Sequence, residues 1–424
     1  MSSVLEITPI TRVEGHGRIA VHLDGKRVER VDLCLTESPR LFEALLVGKE
    51  YREVPEIICR ICSLCSTVHR VVSLQAVEKA LGIEASEQAR LHRELCLYGG
   101  HIQSHALHLF CLSLPDRYGA KGLPDLAAMA PEELRMGLRI KAAGNLIQET
   151  VGGRLIHPVT LIPGGMGKPV GREGLLRLRE TLEALLPEVR QAWELFRSFP
   201  TPSQDLGTPR FMAVCSRAAP PLFGEELAIG PARSIPVAAY GETLEEQVVA
   251  HSNAKASSAE NPFTVGALAR LNLGFSLTPG GAEALGESRE RIMGRDIRAN
   301  NLAQAIELVH AAERSLEIVE TLLDAGFDRE DPPPVVHRRG EGIAAIEAPR
   351  GTLIHGYRFD SRGVCTGADV VTPTAINQAA IERDLLRLAQ GLEGAEDREM
   401  IATLEQLVRD YDPCISCAVH LVRR

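Results

Sequence analysis

Two Cys-x-x-Cys pairs, Cys62–Cys65 and Cys414–Cys417, lie near opposite ends of this 424-residue chain. Each is followed by a histidine, His69 in RICSLCSTVH and His420 in DPCISCAVH. Four thiolates from two distant segments can meet at one soft metal ion, so a fold that uses them must pin the end of the chain against its beginning. Thiolate sulfur suits zinc, nickel, copper(I) or iron–sulfur clusters rather than magnesium or calcium. A structural zinc site is the plainest reading. Against it, structural zinc modules are compact in sequence, and six candidate donors exceed what a closed tetrahedral site needs.

Composition bounds the setting of that site. Ten cysteines in a chain of this length do not read as a small secreted disulfide scaffold, so close pairs read as metal or redox sites. The N-terminus, MSSVLEITPITRVEGHGRI, has no basic region followed by an apolar stretch, and no apolar run reaches membrane-spanning length. No secretory signal and no membrane span are therefore expected, and a cytoplasmic setting is. A net charge of −9 argues against nucleic acid as a partner. With 45% hydrophobic but only 4% aromatic residues, the chain can bury a sizeable core built mainly of Leu, Ala, Val and Ile.

Periodicity places the motifs. Residues 5–36 alternate apolar and polar, with Asp24-Gly25 as a hairpin turn, and predict a small N-terminal sheet. Ser38-Pro39 opens a helix to about Gly48. Helical spacing from Pro55 to about Leu81 puts the first cysteine pair on or at the start of a helix. Residues 85–113, 131–150 and 172–198 read as long helices. The Gly- and Pro-rich stretch 151–170 reads as a packed loop, and 200–298 as mixed and loop-rich. Residues 299–326 form the clearest amphipathic helix, with Leu302, Ala305, Ile306, Val309 and Leu316 at helical spacing. A Pro triplet within 331–336 is a rigid connector. Short strands and turns are expected over 343–372, and helices over 376–390 and 396–410.

Seven motifs run in order along nearly the whole chain: ITRVEGH (10–16), FEALLVGK (42–49), RICSLCSTVHR (60–70), HIQSHALH (101–108), GGRLIHPVTLIPGG (152–165), EAPRGTLIH (347–355) and DPCISCAVH (412–420). Together they resemble the large, catalytic subunit of nickel–iron hydrogenases, most like the cytoplasmic multi-subunit groups. The resemblance, with the periodicity, implies a mainly α fold with small peripheral β-sheets (α+β), a long-helix bundle forming one domain over 1–424. Within it, 1–36 is a β region, 37–200 a helical core with the first pair, 201–298 a mixed region, and 299–424 the part with the second pair.

What the resemblance implies for single residues can be set beside what each would be alone. Cys62 and Cys414 match terminal nickel ligands. Cys65 and Cys417 match thiolates bridging nickel to an iron that carries one carbon monoxide and two cyanides. Glu14, otherwise a surface glutamate in a turn, matches the acid that takes the proton of heterolytic dihydrogen cleavage by way of Cys414. Arg350, otherwise a surface salt-bridge partner, matches the arginine over the metals that contacts a cyanide, with Pro349 fixing the backbone beside it. Asp116 and Asp412 match two acids of the same canopy, either of which would hold Arg350; alone, Asp412 is a turn residue before Pro413. Thr374, alone an ordinary loop threonine, matches a hydroxyl donor to a cyanide. His69 matches a donor to a bridging sulfur. Glu43 and His420 match ligands of a second cation, usually magnesium, near the C-terminus. His101, His105 and His108 share a helix face in the manner of metal ligands, but no HExxH acid accompanies them, and packing is the better reading. The remaining cysteines are read as buried apolar residues.

The chain departs from the pattern at Ser63 and Ala375, where glycine and threonine are common, and in ending four residues after His420. If kept, residues 421–424 would pack near the cation site. With no clustered cysteines to spare, a small subunit with iron–sulfur clusters is the implied electron partner. Further subunits of nicotinamide, deazaflavin or disulfide-reductase type are expected beyond it. A slow hydrogen sensor with the same site, and a non-catalytic scaffold or structural metal protein, are the alternatives.

Overall fold

The computed structural model describes residues 2–37, 41–202, 204–215, 222–230, 232–257, 261–325 and 332–419. The expected N-terminal sheet is present: Ser2–Ile7, Gly17–Asp24 and Arg27–Leu35 form an antiparallel three-stranded meander whose tight turn follows Asp24. Of the helix expected after it, Phe42–Leu46 is helical, while Ser38 and Pro39 lie outside the described residues.

Four long helices, Glu87–Ala106, Pro131–Gly152, Arg172–Ser198 and Asn300–Ala325, build the bundle. Arg172–Ser198 shows why: Leu175, Leu178, Leu182, Leu185, Val189, Ala192 and Phe196 recur every three or four residues and bury one stripe. Glu87–Ala106 starts at Ser86, whose Oγ accepts from Ala89 N at 3.1 Å. It runs on as a π-helical segment, Leu107–Ser113. The stretch 151–170 is a loop with a minimal hairpin, Leu161–Ile162 on Gly165–Met166.

Three predicted elements differ in detail. The helix expected from Pro55 to Leu81 is interrupted: Glu53–Ile58 passes into a 3₁₀ turn, Cys59–Ile61, Cys62 is extended, and a new helix spans Ser66–Leu81. The loop-rich 200–298 region holds a 14-residue helix, Pro279–Ile292, which its Pro and paired Gly disguised; proline is well placed in a first helical turn. The strands near 343–372 are long. Gly340–Ala348, Gly351–Phe359 and Cys365–Val371 pair antiparallel, and this sheet packs on Ser66–Leu81. Its first hairpin closes with Ala348 opposite Gly351, so Pro349 and Arg350 form the tip. Helices Pro373–Gly391 and Asp397–Asp410 then lead to the second cysteine pair. No described helix is long and apolar enough to cross a membrane.

Candidate metal centre

The interruption at Cys59–Cys65 is what presents the first pair. Cys65 is the N-cap residue of Ser66–Leu81, and Cys62 lies in the extended link before it. The second pair approaches from the other end of the chain, with Cys414 capping the single-turn helix Ile415–Ala418 that carries Cys417. The N-terminal segment joins the two ends. Glu14 forms a parallel bridge with Cys414, and its carbonyl accepts from Ile415 N at 3.1 Å.

The four sulfurs all lie within 4.8 Å of one another, and all four residues are buried. Cys414 Sγ is 3.5 Å from Cys62 Sγ, 3.7 Å from Cys65 Sγ and 2.7 Å from Cys417 Sγ, and every one is a free thiol. Burial pushes the Cys414 and Cys417 thiols up, while hydrogen bonds from its three neighbours pull Cys62 down. Four thiolates cannot be held together here without a cation to balance them. The donor set therefore fits a thiophilic metal centre.

Arg350 reaches this cluster from its hairpin tip. Its Nη1 donates to Cys65 Sγ at 3.4 Å and its Nε to Asp412 Oδ1 at 3.1 Å, whereas Nη2 is buried with no partner among the described residues. Burial opposes its charge, but Asp412 and the thiols outweigh that and hold it well above the usual value. The expectation that either acid would hold Arg350 is corrected: Asp412 does, and Asp116 does not. Asp116 instead accepts from Arg409 Nε at 2.7 Å and Nη2 at 3.0 Å, and from Arg12 Nη2. It ties the N-terminal segment to the C-terminal helix. Arg12 also donates to Leu112 O at 2.6 Å, a carbonyl of the π-helical segment.

Glu14 is half-buried, with Oε1 3.9 Å from Cys62 Sγ and Oε2 accepting from Ser416 N at 3.1 Å. Burial and the Cys62 charge raise its pKa, partly offset by Ser416, Arg350 and Cys414. Its carboxyl thus lies between two thiols, with Cys62 Sγ near Oε1 and Cys414 hydrogen-bonding to it as well. Thr374 Oγ1 accepts from Cys414 N at 2.8 Å, which leaves its own proton for another acceptor. His69 shares a hydrogen bond with His355 at 3.1 Å, and His355 another with Tyr357 at 2.6 Å, all three fully buried. Burial lowers His69 to about 4, so it is neutral. Glu43 accepts from Val370 N at 2.9 Å, while His420 lies outside the described residues.

The three helix histidines are interior hydrogen-bonders. His101 Nε2 donates to Glu347 O at 3.1 Å and His105 Nε2 to Glu307 Oε2 at 2.9 Å, and His108 bridges Gln304 Oε1 and Arg409 O. His101, His105 and Glu307 are close enough to hold an ion, but both Glu307 oxygens are taken by Arg270, whose charge repels one. Sequence reasoning missed Gln304, Arg270, Glu307, Glu347 and Arg409. The available signal was a lone arginine in the apolar run ALARLN.

Comparison with known proteins agrees with this geometry. Residues 40–117 and 219–420 match the family described as nickel-dependent hydrogenase, and residues 4–37 match one described as HoxL-like. The chain is 40% identical to sulfhydrogenase 2 subunit alpha of Pyrococcus furiosus, over 99% of this chain and 100% of that one. To sulfhydrogenase 1 subunit alpha of the same organism it is 34% identical, over 99% and 98%. Among solved structures it resembles an NAD+-reducing NiFe hydrogenase in the H2-reduced state, with TM-score 0.89 and 26% identity over 99% of both chains. A Ni-Fe-Se hydrogenase of D. vulgaris Hildenborough shares the fold, with TM-score 0.74 and 22% identity over 99% of this chain and 100% of that one.

Proposed function

This chain belongs to the nickel-dependent hydrogenase family as its large, catalytic subunit, and from that premise we propose how its own residues serve the reaction. The observation that carries the reading is the convergence of four free, buried thiols beneath a buried guanidinium nitrogen with no partner among the described residues. Cys62, Cys65, Cys414 and Cys417 would hold a nickel–iron centre, which when bound supplies the reversible heterolytic cleavage of dihydrogen.

Arg350 Nη2 and the Thr374 hydroxyl would be the donors for cyanide nitrogens of that group, since among the described residues neither proton has another acceptor. Asp412 keeps Arg350 charged and aimed. Glu14 holds the released proton at Oε1. Its raised pKa lets it accept a proton that an ordinary surface carboxylate would decline, and its half-buried position lets it pass that proton outward. Neutral His69, locked by His355 and Tyr357, would set the polarity beside the cysteine cluster, where Cys62 is the thiol that acts on it. Magnesium on Glu43 and His420 would tie down the C-terminal segment.

Electrons need a second protein. Beside the first pair, the loop after Gly153 exposes Leu155, Ile156 and Val159, at 38%, 42% and 50%. It is anchored where His157 N donates to Ser66 Oγ at 3.1 Å, one residue past Cys65. This apolar face next to the thiols is the surface for an iron–sulfur small subunit. Further electron-transfer subunits, of nicotinamide, deazaflavin or disulfide-reductase type, would complete a cytoplasmic assembly. In the intact complex, Glu14→Gln should keep its nickel while hydrogen-dependent dye reduction falls by roughly 10²–10⁴. A fully active variant would remove Glu14 from the proton route, and stoichiometric zinc without nickel in the native protein would sink the site assignment.

A further inference from the structure

Arg350 is held at a hairpin tip that its own sequence does not favour. Two-residue hairpin turns usually need positive φ at the first central residue, because that twist matches the strands. Pro349 occupies that position and is locked at negative φ, and Arg350 is not left-handed either. The compensating twist falls on Gly351, at φ +127°, where a side chain would also strike Val265. Such a tip needs support from outside the hairpin.

That support is Arg270, from the short helix Ala267–Asn272, with its side chain wholly buried. All five of its N–H groups are used. Nε and Nη2 donate to Glu307 at 2.7 and 2.6 Å, and Nη1 donates to Glu347 Oε2 at 2.7 Å. The last two go to Ala348 O at 2.9 Å and Pro349 O at 3.2 Å, the two carbonyls directly before Arg350. The clamp is itself held rigid: Glu307 also accepts from His105, and Glu347 Oε1 accepts from Val214 N at 2.7 Å and Thr352 Oγ1 at 2.8 Å. A guanidinium's planar fork can reach both carboxylates and both carbonyls together, whereas a lysine ammonium has only three donors at one point.

We propose that Arg270 is the positioning residue of this site: it grips the Ala348 and Pro349 carbonyls and so fixes where the Arg350 guanidinium meets the cysteine cluster. The inference rests on Arg350 acting at that cluster, as proposed above.

The test uses the intact complex and three readouts: nickel per chain, hydrogen-dependent dye reduction, and hydrogen–deuterium exchange of residues 346–353. The variant Arg270→Met/Glu307→Gln/Glu347→Gln removes the clamp without stranding a buried charge. Nickel should be retained, exchange should quicken at the tip but not in the Ser66–Leu81 helix, and the rate should fall about a hundredfold, as expected for a displacement of about 1 Å at a reacting centre. In an Arg350→Lys background the same changes should cost little more, since the clamp acts through Arg350. If the triple variant fails to fold or to load nickel, Arg270→Lys carries the test, because it keeps the charge but not the fork. The same local signature is expected of it. Wild-type rate with a protected tip in either variant, or losses that simply multiply with those of Arg350→Lys, would overturn the proposal. A fully active Arg350→Lys would instead refute the role of Arg350, while tip exchange would still report the clamp.

Discussion

Replacing Asp412 by asparagine should separate two acids that the sequence treats alike. Asp412 is 2% exposed and accepts from Arg350 Nε through Oδ1 and from Gln304 Nε2 through Oδ2, each at 3.1 Å. Asparagine keeps one acceptor, but its amide must then face Arg350 or Gln304, both donors. One charge-assisted bond becomes neutral, and one donor meets another. Charge-assisted bonds contribute about 1.5–3 kcal/mol against about 1 for neutral ones. Breaking a buried pair outright costs about 3–5 kcal/mol. Because the shape and one bond survive, about 2 kcal/mol of stability should be lost. Function should suffer more. With Cys65 Sγ 3.4 Å from Nη1, a guanidinium freed from Asp412 swings toward the sulfurs, and a misplacement of about 1 Å costs roughly a hundredfold in rate. Asp116→Asn is the contrast. Its partners are Arg12 and Arg409, so it should lower the melting temperature comparably and leave turnover largely intact. The assay is dye reduction under hydrogen, normalised to nickel, beside thermal melting. Wild-type turnover in Asp412→Asn, or equal loss of turnover in both nickel-loaded variants, would refute the assignment of Asp412 as the residue that holds Arg350.

Asp410 is 1% exposed and is raised to about 7 by burial, opposed by Arg117 and reinforced by Asp116. The folded state therefore keeps a proton that the unfolded chain releases near pH 4, and stability should fall as pH rises toward 7, by about 1.4 kcal/mol per unit, then level off. Asp410→Asn should abolish that slope in denaturation midpoints taken from pH 5 to 8, and an unchanged slope would place the titration elsewhere. A Cβ on Gly144 would lie 2.5 Å from Gln103 N and 2.6 Å from Gly99 O, and backbone cannot rotate away. Gly144→Ala should therefore cost at least about 1–3 kcal/mol, whereas Gly286→Ala, exposed within its helix and with nothing within 4 Å, should melt no lower than wild type. Metal removal should loosen residues 60–66 and 417–419 in hydrogen exchange without unfolding the bundle, because Cys414 N, Ile415 N and Ser416 N keep their protein acceptors and the bundle is held by its own apolar stripes. Loss of protection along Arg172–Ser198 would show that the metal holds the whole fold.

Long helices with a single apolar stripe were legible because burial on one face leaves a period of 3.6 in the sequence, as in Arg172–Ser198. The N-terminal meander was legible through alternation and Asp24-Gly25. The break at Cys59–Cys65 was not, since the apolar spacing runs through it; only the geometry of presenting two sulfurs from a helix start explains it. Pro279–Ile292 was hidden because proline at a helix start and proline in a loop look the same without the cap geometry.

The helix Asn300–Ala325 shows most clearly where a sequence stops being informative about a site. Its apolar stripe, Leu302, Ala305, Ile306 and Val309, is buried as its periodicity predicts. The opposite stripe, Asn300, Asn301, Gln304 and Glu307, recurs with the spacing of a solvated face, yet it is buried too. Asn300 Nδ2 donates to Asp410 O, Asn301 to Asp410 Oδ1, Gln304 to Asp412 and Arg270 to Glu307. Hydrophobic periodicity reports only which side avoids water. It cannot tell a stripe that faces water from one that faces a buried polar site, since both want the same residues. The cysteines were legible because thiolate chemistry demands a residue type and a spacing. The groups that aim Arg350 were not, because each needs only a donor or an acceptor at a point in space that distant segments define. The residues that set the geometry of such a site are therefore to be sought among the buried polar side chains of helices that otherwise read as amphipathic.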